Sequence, residues 1–188
     1  MKNFILITAG VLILIVVAFI WSTYNRLITA NEAINNQWAQ VETQYQRRFD
    51  LIPNLIESVK GVMSQEQKIF GDLAEARSRY AGASSPDQKA DSATQIEGAL
   101  ARLLVVMENY PQLKSAENVQ TLMAQLEGTE NRISVERKRY NDAVRDFNVA
   151  IKRFPSNLIA NQLGYSNKNY FEAENGSEKA PKVDLQNK

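Results

Sequence analysis

The chain has 188 residues with no cysteine and no histidine, and its 22 basic residues nearly balance 21 acidic ones. Balanced charge supplies no overall field for nucleic acid or an anionic surface, while the missing histidine removes the usual general base of Ser-His-Asp and Cys-His hydrolases and the histidine ligands of zinc, haem and di-iron bundles. Without cysteine there are no disulfides, thiolate nucleophiles or cysteine-linked lipids, so only carboxylates, lysine, tyrosine and hydroxyls remain for chemistry.

After a short flank, residues 1–3, the run FILITAGVLILIVVAFIW from Phe4 to Trp21 carries no charge, and as a helix it extends about 27 Å, close to the thickness of a bilayer's hydrocarbon core. Trp21, Tyr24 and Arg26 stand at its end, where amphipathic rings and snorkelling cations favour the headgroup region. A transmembrane anchor over residues 4–23 is expected. Lys2 before the run also suits a cleaved signal peptide, but the run exceeds an ordinary signal core, and bulky Phe19, Ile20 and Trp21 occupy the place of a small-residue cleavage site. Lys2 and the terminal amine against Arg26 alone favour an inside N-terminus, with the bulk of the protein outside the cytoplasm.

From Ile34 the apolar positions Trp38, Val41, Tyr45, Phe49, Ile52, Ile56, Val59, Met63, Phe70 and Leu73 follow helical spacing, with one skipped step at Glu66. The phase predicts one long helix over about 24–80. Pro53 lies inside it, where the lost hydrogen bond costs about 3 kcal/mol in an unsupported helix. An unbroken phase favours a kink there, while Asp50 as an N-cap would instead begin a separate helix. Gly82 suits a left-handed C-cap, and Ser85, Pro86 and Gln88 form a capping-box start for a helix over about 86–109. Ser115 opens the last long helix, about 115–154, which Pro155 ends, and a short helix follows at about 156–163. Residues 24–171 make one helical domain, and the polar tail 172–188 is expected to be disordered.

The stretch RRFDLIPNLIESVKG, with NQWAQVETQYQ before it and ARSRY after it, resembles the LemA family of bacterial membrane-associated helical proteins. The likeness continues through QLEGTENRISVERKRYNDAVRDFNVAIKRFPSNLIA to the closing GY and YFEA. It implies an all-α fold, a single N-terminal transmembrane helix followed by an antiparallel bundle of long helices, and no established catalytic activity. The family's recurring positions are met at Arg47, Arg48, Asp50, Leu51, Ile52, Pro53, Asn54, Leu55 and Gly61, and later at Tyr140, Asn141, Asn148 and Pro155. The resemblance implies that these are structural or interaction determinants.

Arg47, Arg48 and Asp50 beside Pro53 and Asn54 either form a polar ligand site at the kink or support the bend and pair across to Asn141, Asp142, Arg145 and Asn148. Glu57, Glu127, Glu130, Glu136 and Asp142, like the basic cluster ERKRY, read as solvated, salt-bridged faces. No catalytic, cofactor-binding or metal-ligating residues are expected. The combination points to a non-enzymatic envelope scaffold or adaptor at the bacterial inner membrane. Its expected partners are the lipid bilayer through residues 4–23 and a second copy or a helical protein, with no nucleic acid. An envelope sensor binding a small ligand at Pro53 is the alternative.

Overall fold

The computed structural model describes residues 1–63 and 65–171, so the tail expected over 172–188 lies outside the described residues. The elements are α1 (Lys2–Lys60), α2 (Gln67–Gly82), α3 (Pro86–Met107), α4 (Pro111–Lys114), α5 (Glu117–Lys152) and α6 (Ser156–Gln162), with no strand among the described residues. The fold is all-α.

Helix α1 has 59 residues, about 89 Å at 1.5 Å per residue. Residues 1–22 are exposed along every face, and the apolar window of α1 has a mean hydropathy of 3.0 and is left uncovered by the described residues. It is the one helix among the described residues that is long and apolar enough to cross a membrane. From Leu27 onward a seam appears. Leu27, Ile34, Val41, Arg48 and Leu55 recur at heptad spacing, joined by Tyr45, Phe49, Ile52 and Val59, and all are buried. The helix stays continuous through Pro53 because Phe49, Ile52 and Leu55 are packed on both sides of it, so burial offsets the lost hydrogen bond. Leu55 is fully buried and Ile56 only partly so, which shifts the expected stripe by one position.

The helix expected over about 24–80 is two helices, and the N-terminal apolar run is continuous with the first of them. Its chain reverses at 61–66, where the apolar stripe skips a step, with Met63 turned into the core and Glu66 at the N-cap of α2. Apolar phase could not reveal this, because a second helix that starts in compatible phase continues the same pattern. Gly82 is the last helical residue of α2, followed by an extended Ala83, and it has no positive φ. Ser85 accepts from Gln88 N at 3.2 Å, while Gln88 Oε1 reaches back to Ser84 N at 3.1 Å rather than to the cap residue itself. The short α4 was not expected, and it pushes the start of α5 to Glu117 with Ala116 as its N-cap.

Helices α1 and α5 lie antiparallel, tied by Trp38 to Tyr140, Gln37 to Glu136, Tyr45 to Arg137, Arg48 to Glu130 and Ser58 to Asn118. Two cores result. A distal core joins Val41–Val59 of α1 to α2, α3 and the first half of α5, with Leu73, Ile96, Leu103 and Ile133 at its centre. A second core holds Leu27, Ile34, Val144, Phe147, Ile151 and Ala160, nearer the apolar end of α1. After α6 the chain reverses through Gly164, whose φ of 70° is open to glycine without a Cβ penalty. Gly164 N bonds Asn161 O and Tyr165 N bonds Ala160 O, a Schellman closure that sends residues 165–171 back along α5.

Candidate functional site

Arg48 occupies a heptad position where an aliphatic residue would ordinarily sit, and its side chain is only 1% exposed. One guanidinium nitrogen, Nη2, donates to Glu130 of α5. The other, Nη1, stands 3.9 Å from Glu97 Oε2 of α3, and among the described residues neither of these two buried atoms has a hydrogen-bond partner. Arg137 Nη2 lies 3.5 Å from the same Glu97 oxygen, and Arg137 Nε donates to the Tyr45 hydroxyl at 3.0 Å. Both guanidinium groups also approach the Tyr45 ring, at 5.9 Å and 5.6 Å. Burial lowers the Arg48 pKa against the opposing pull of Glu130 and Glu97. Burial also acts to lower that of Arg137, but Tyr45, Glu97 and Glu130 outweigh it and the net shift is upward. The Tyr45 phenol is pushed up chiefly by burial. Two cations and two carboxylates therefore neutralise each other, the Arg48 guanidinium buried and both carboxylates partly exposed, tying α1, α3 and α5 at one level.

Asn141 and Asn148 serve a different purpose. Asn141 Nδ2 donates to Phe171 O at 3.0 Å while its Oδ1 accepts from Phe171 N at 2.8 Å. Asn148 does the same for Lys168, both bonds at 2.9 Å. The spacing explains the pair, since seven residues of helix rise about 10.5 Å and three extended residues about 10 Å. Two turns of α5 thus match the step from residue 168 to 171. Phe171 then stacks on Trp38 at 5.7 Å and meets Tyr140 edge-on at 5.0 Å, with Arg137 5.6 Å from its ring. The strap ends beside the polar core.

The expected residues divide accordingly. Arg48 is inside, whereas Arg47, Asp50 and Asn54 face outward around Pro53, with Gln46 donating to Asp50 at 2.9 Å. They do not meet Asn141, Asp142, Arg145 or Asn148, which the antiparallel register places nearer the apolar end of α1. Arg145 pairs instead with Asp142 and Asp146. Tyr140 bridges the two cores, and Pro155 is the N-cap of α6 at the corner after α5. Tyr45, Glu97, Arg137, Trp38 and Phe171 were missed as a site. The signal available was the unbroken heptad running through Arg48, which demands a buried counter-charge on a neighbouring helix. Glu130, expected on a solvated face, supplies part of it together with Glu97, and Arg137, expected on the same kind of face, is a second cation that pairs with Glu97.

Between α3 and α5 lies a groove of about 670 Å³. Leu100, Leu104, Met107, Val119, Met123 and Leu126 line it, with Arg48, Glu97 and Glu130 at one end. On the opposite side of α1, Glu42, Gln46, Arg47, Asp50 and Asn54 border an open depression beside the proline motif. Among the described residues no group of three or more His, Cys, Asp or Glu could hold a metal ion.

A model of the LemA family matches residues 37–185. The chain is also similar to magnetosome protein MamQ 2 of Paramagnetospirillum magneticum, at 28% identity covering 85% of this chain and 70% of the relative. The magnetosome protein MamQ of Magnetospirillum gryphiswaldense is 27% identical, covering 85% of this chain and 69% of its own length.

Proposed function

The chain belongs to the LemA family, and from that premise we propose a non-enzymatic, membrane-anchored scaffold or adaptor of the bacterial envelope that acts through protein contacts or self-assembly. The observation that carries this is the groove between α3 and α5. Its walls are apolar side chains supplied at helical spacing by two splayed helices, and Leu104 and Val105 beside it are exposed. Such a trough suits the apolar face of a helix from a second copy or a partner. At its inner end Arg48, Glu97 and Glu130 form, with Arg137 beyond the groove, a neutralised set that fixes helix register more naturally than it activates a substrate. The relatives' naming as magnetosome proteins fits a part in building a cellular structure.

In this reading the first part of α1 spans the inner membrane once and the helical body lies outside the cytoplasm. Single cysteines at Asn3 and Glu178, in a chain with none of its own, should label from opposite sides of the membrane. A photocrosslinker replacing Leu104 or Met123 should capture a second copy or a discrete partner in cells. A chain that crosslinks to nothing from both positions, and stays monomeric at high concentration in detergent, would defeat the proposal.

A further inference from the structure

The corner where α5 turns into α6 exposes apolar side chains and cations together. Phe154 is 80% exposed and Leu158 is 62% exposed, on a surface next to Lys152 and Arg153. The antiparallel register fixes its height. An equal step along both helices from the Trp38–Tyr140 contact brings α1 to Tyr24 and the path of α5 to Phe154, level with the end of the apolar run. The same level holds a cleft of about 370 Å³ between α1, α5 and the start of α6. Thr23, Arg26, Arg145, Asp146, Arg153 and Ser156 are among its lining residues. Arg145 is committed to Asp142 and Asp146, whereas Arg26, Lys152 and Arg153 have no ion-pair partner among the described residues.

We propose that this cleft receives the phosphate of an anionic phospholipid headgroup while Phe154 and Leu158 enter the interfacial zone, giving the protein a second membrane contact beside its anchor. The proposal rests on the reading of α1 as membrane-spanning. Three observations point the same way. The unpaired cations offer a phosphate oxygen charge-assisted donors without displacing an existing ion pair. Exposed aromatic and aliphatic groups are favoured at headgroup depth. The continuous helix from the apolar run to Arg26 leaves no linker that would lift the corner away from the bilayer. A near-neutral chain can thus carry a local basic face where the lipid is.

The test uses the full-length chain in vesicles of phosphatidylcholine alone or mixed with phosphatidylglycerol. Single spin labels are placed at Phe154→Cys, at Ala18→Cys in the anchor and at Thr121→Cys in the distal body, with depth read from collision with oxygen against a water-soluble nickel chelate. The label at 154 should lie at interfacial depth in the mixed vesicles and become more aqueous when Arg26→Gln and Arg153→Gln are combined, while the label at 18 stays in hydrocarbon. In detergent, short-chain phosphatidylglycerol should bind about fivefold more weakly for each cation removed. A label at 154 as aqueous as that at 121, with 18 still in hydrocarbon, overturns the headgroup site and leaves the anchor standing. An aqueous label at 18 overturns both. Inorganic phosphate competing as well as the lipid would make this a simple phosphate site and overturn the lipid assignment.

Discussion

The distal body and the membrane-proximal stalk share two helices and solve their packing differently. In the distal body α1 and α5 are joined by α2 and α3, and the extra surfaces bring charged groups inside, where Arg48 must be met by Glu130 and Glu97. Among the described residues, α1 and α5 in the stalk have only α6 and an extended strap for company, and the core is a handful of side chains around Phe147. The contrast teaches that one long seam can be finished by helices where four long or middle-sized helices meet, and by a short helix with extended backbone where only α1 and α5 run side by side. Amide side chains are the tool for the second case, because Asn offers a peptide unit both a donor and an acceptor.

If the two regions are separate cooperative units, the largest effect should come from the centre of the smaller one. Phe147 is fully buried and meets Tyr165 edge-on at 5.3 Å. Phe147→Ala is expected to cost about 3–5 kcal/mol. Hydrogen exchange on the full-length chain should show lost protection along residues 24–38 and 141–152 while α2 and α3 keep theirs. Equal loss in α2 and α3 would break the comparison and make the molecule one unit.

The polar core sharpens it from the other side. Glu130→Ala leaves a buried guanidinium with only the more distant Glu97, and should cost about 2–3 kcal/mol, less than for a sealed ion pair because Glu130 is 41% exposed. Arg48→Met removes the charge and keeps the volume, so denaturation in detergent should place it within about 1 kcal/mol of the native chain. The double variant should recover most of the loss from Glu130→Ala. If Arg48→Met proves as damaging as Glu130→Ala, Arg48 contributes more than a neutralised seam position.

Legibility followed the same division. Regular helices were readable because apolar side chains at Ile34, Val41, Phe147 and Ile151 repeat with the helix, and the likeness in RRFDLIPNLIESVKG led to the family. The reversal at 61–66 was not readable, since Leu73 and Tyr80 continue a phase that started before the turn. Arg48 was singled out with Arg47 and Asp50 as one polar group at the Pro53 kink. Only the heptad from Leu27 to Leu55 separates it from them, and the counter-charges Glu97 and Glu130 lie on helices whose rotation no single sequence reveals. The strap was hidden for another reason. Asn141 and Asn148 stood out as motif positions, but side chain to backbone pairing leaves no periodic trace at residues 168 and 171.

The strap supplies the smallest and most selective test. Asn148→Ala deletes both bonds to Lys168, and because that backbone lies at the surface where water replaces them, the cost should be about 1–2 kcal/mol. Asn148→Asp keeps the acceptor for Lys168 N but sets a buried carboxylate oxygen against Lys168 O, so at neutral pH it should be at least as destabilising as the alanine variant. Pairing at Asn141 is untouched in both, and Phe171 should remain against Trp38. The emission of Trp38 in a Trp21→Phe background reports that contact, and each variant should leave it near native. Emission shifted as far as in Phe171→Ala would mean that the two clamps release together, making the strap a single latch on the stalk rather than two independent ties.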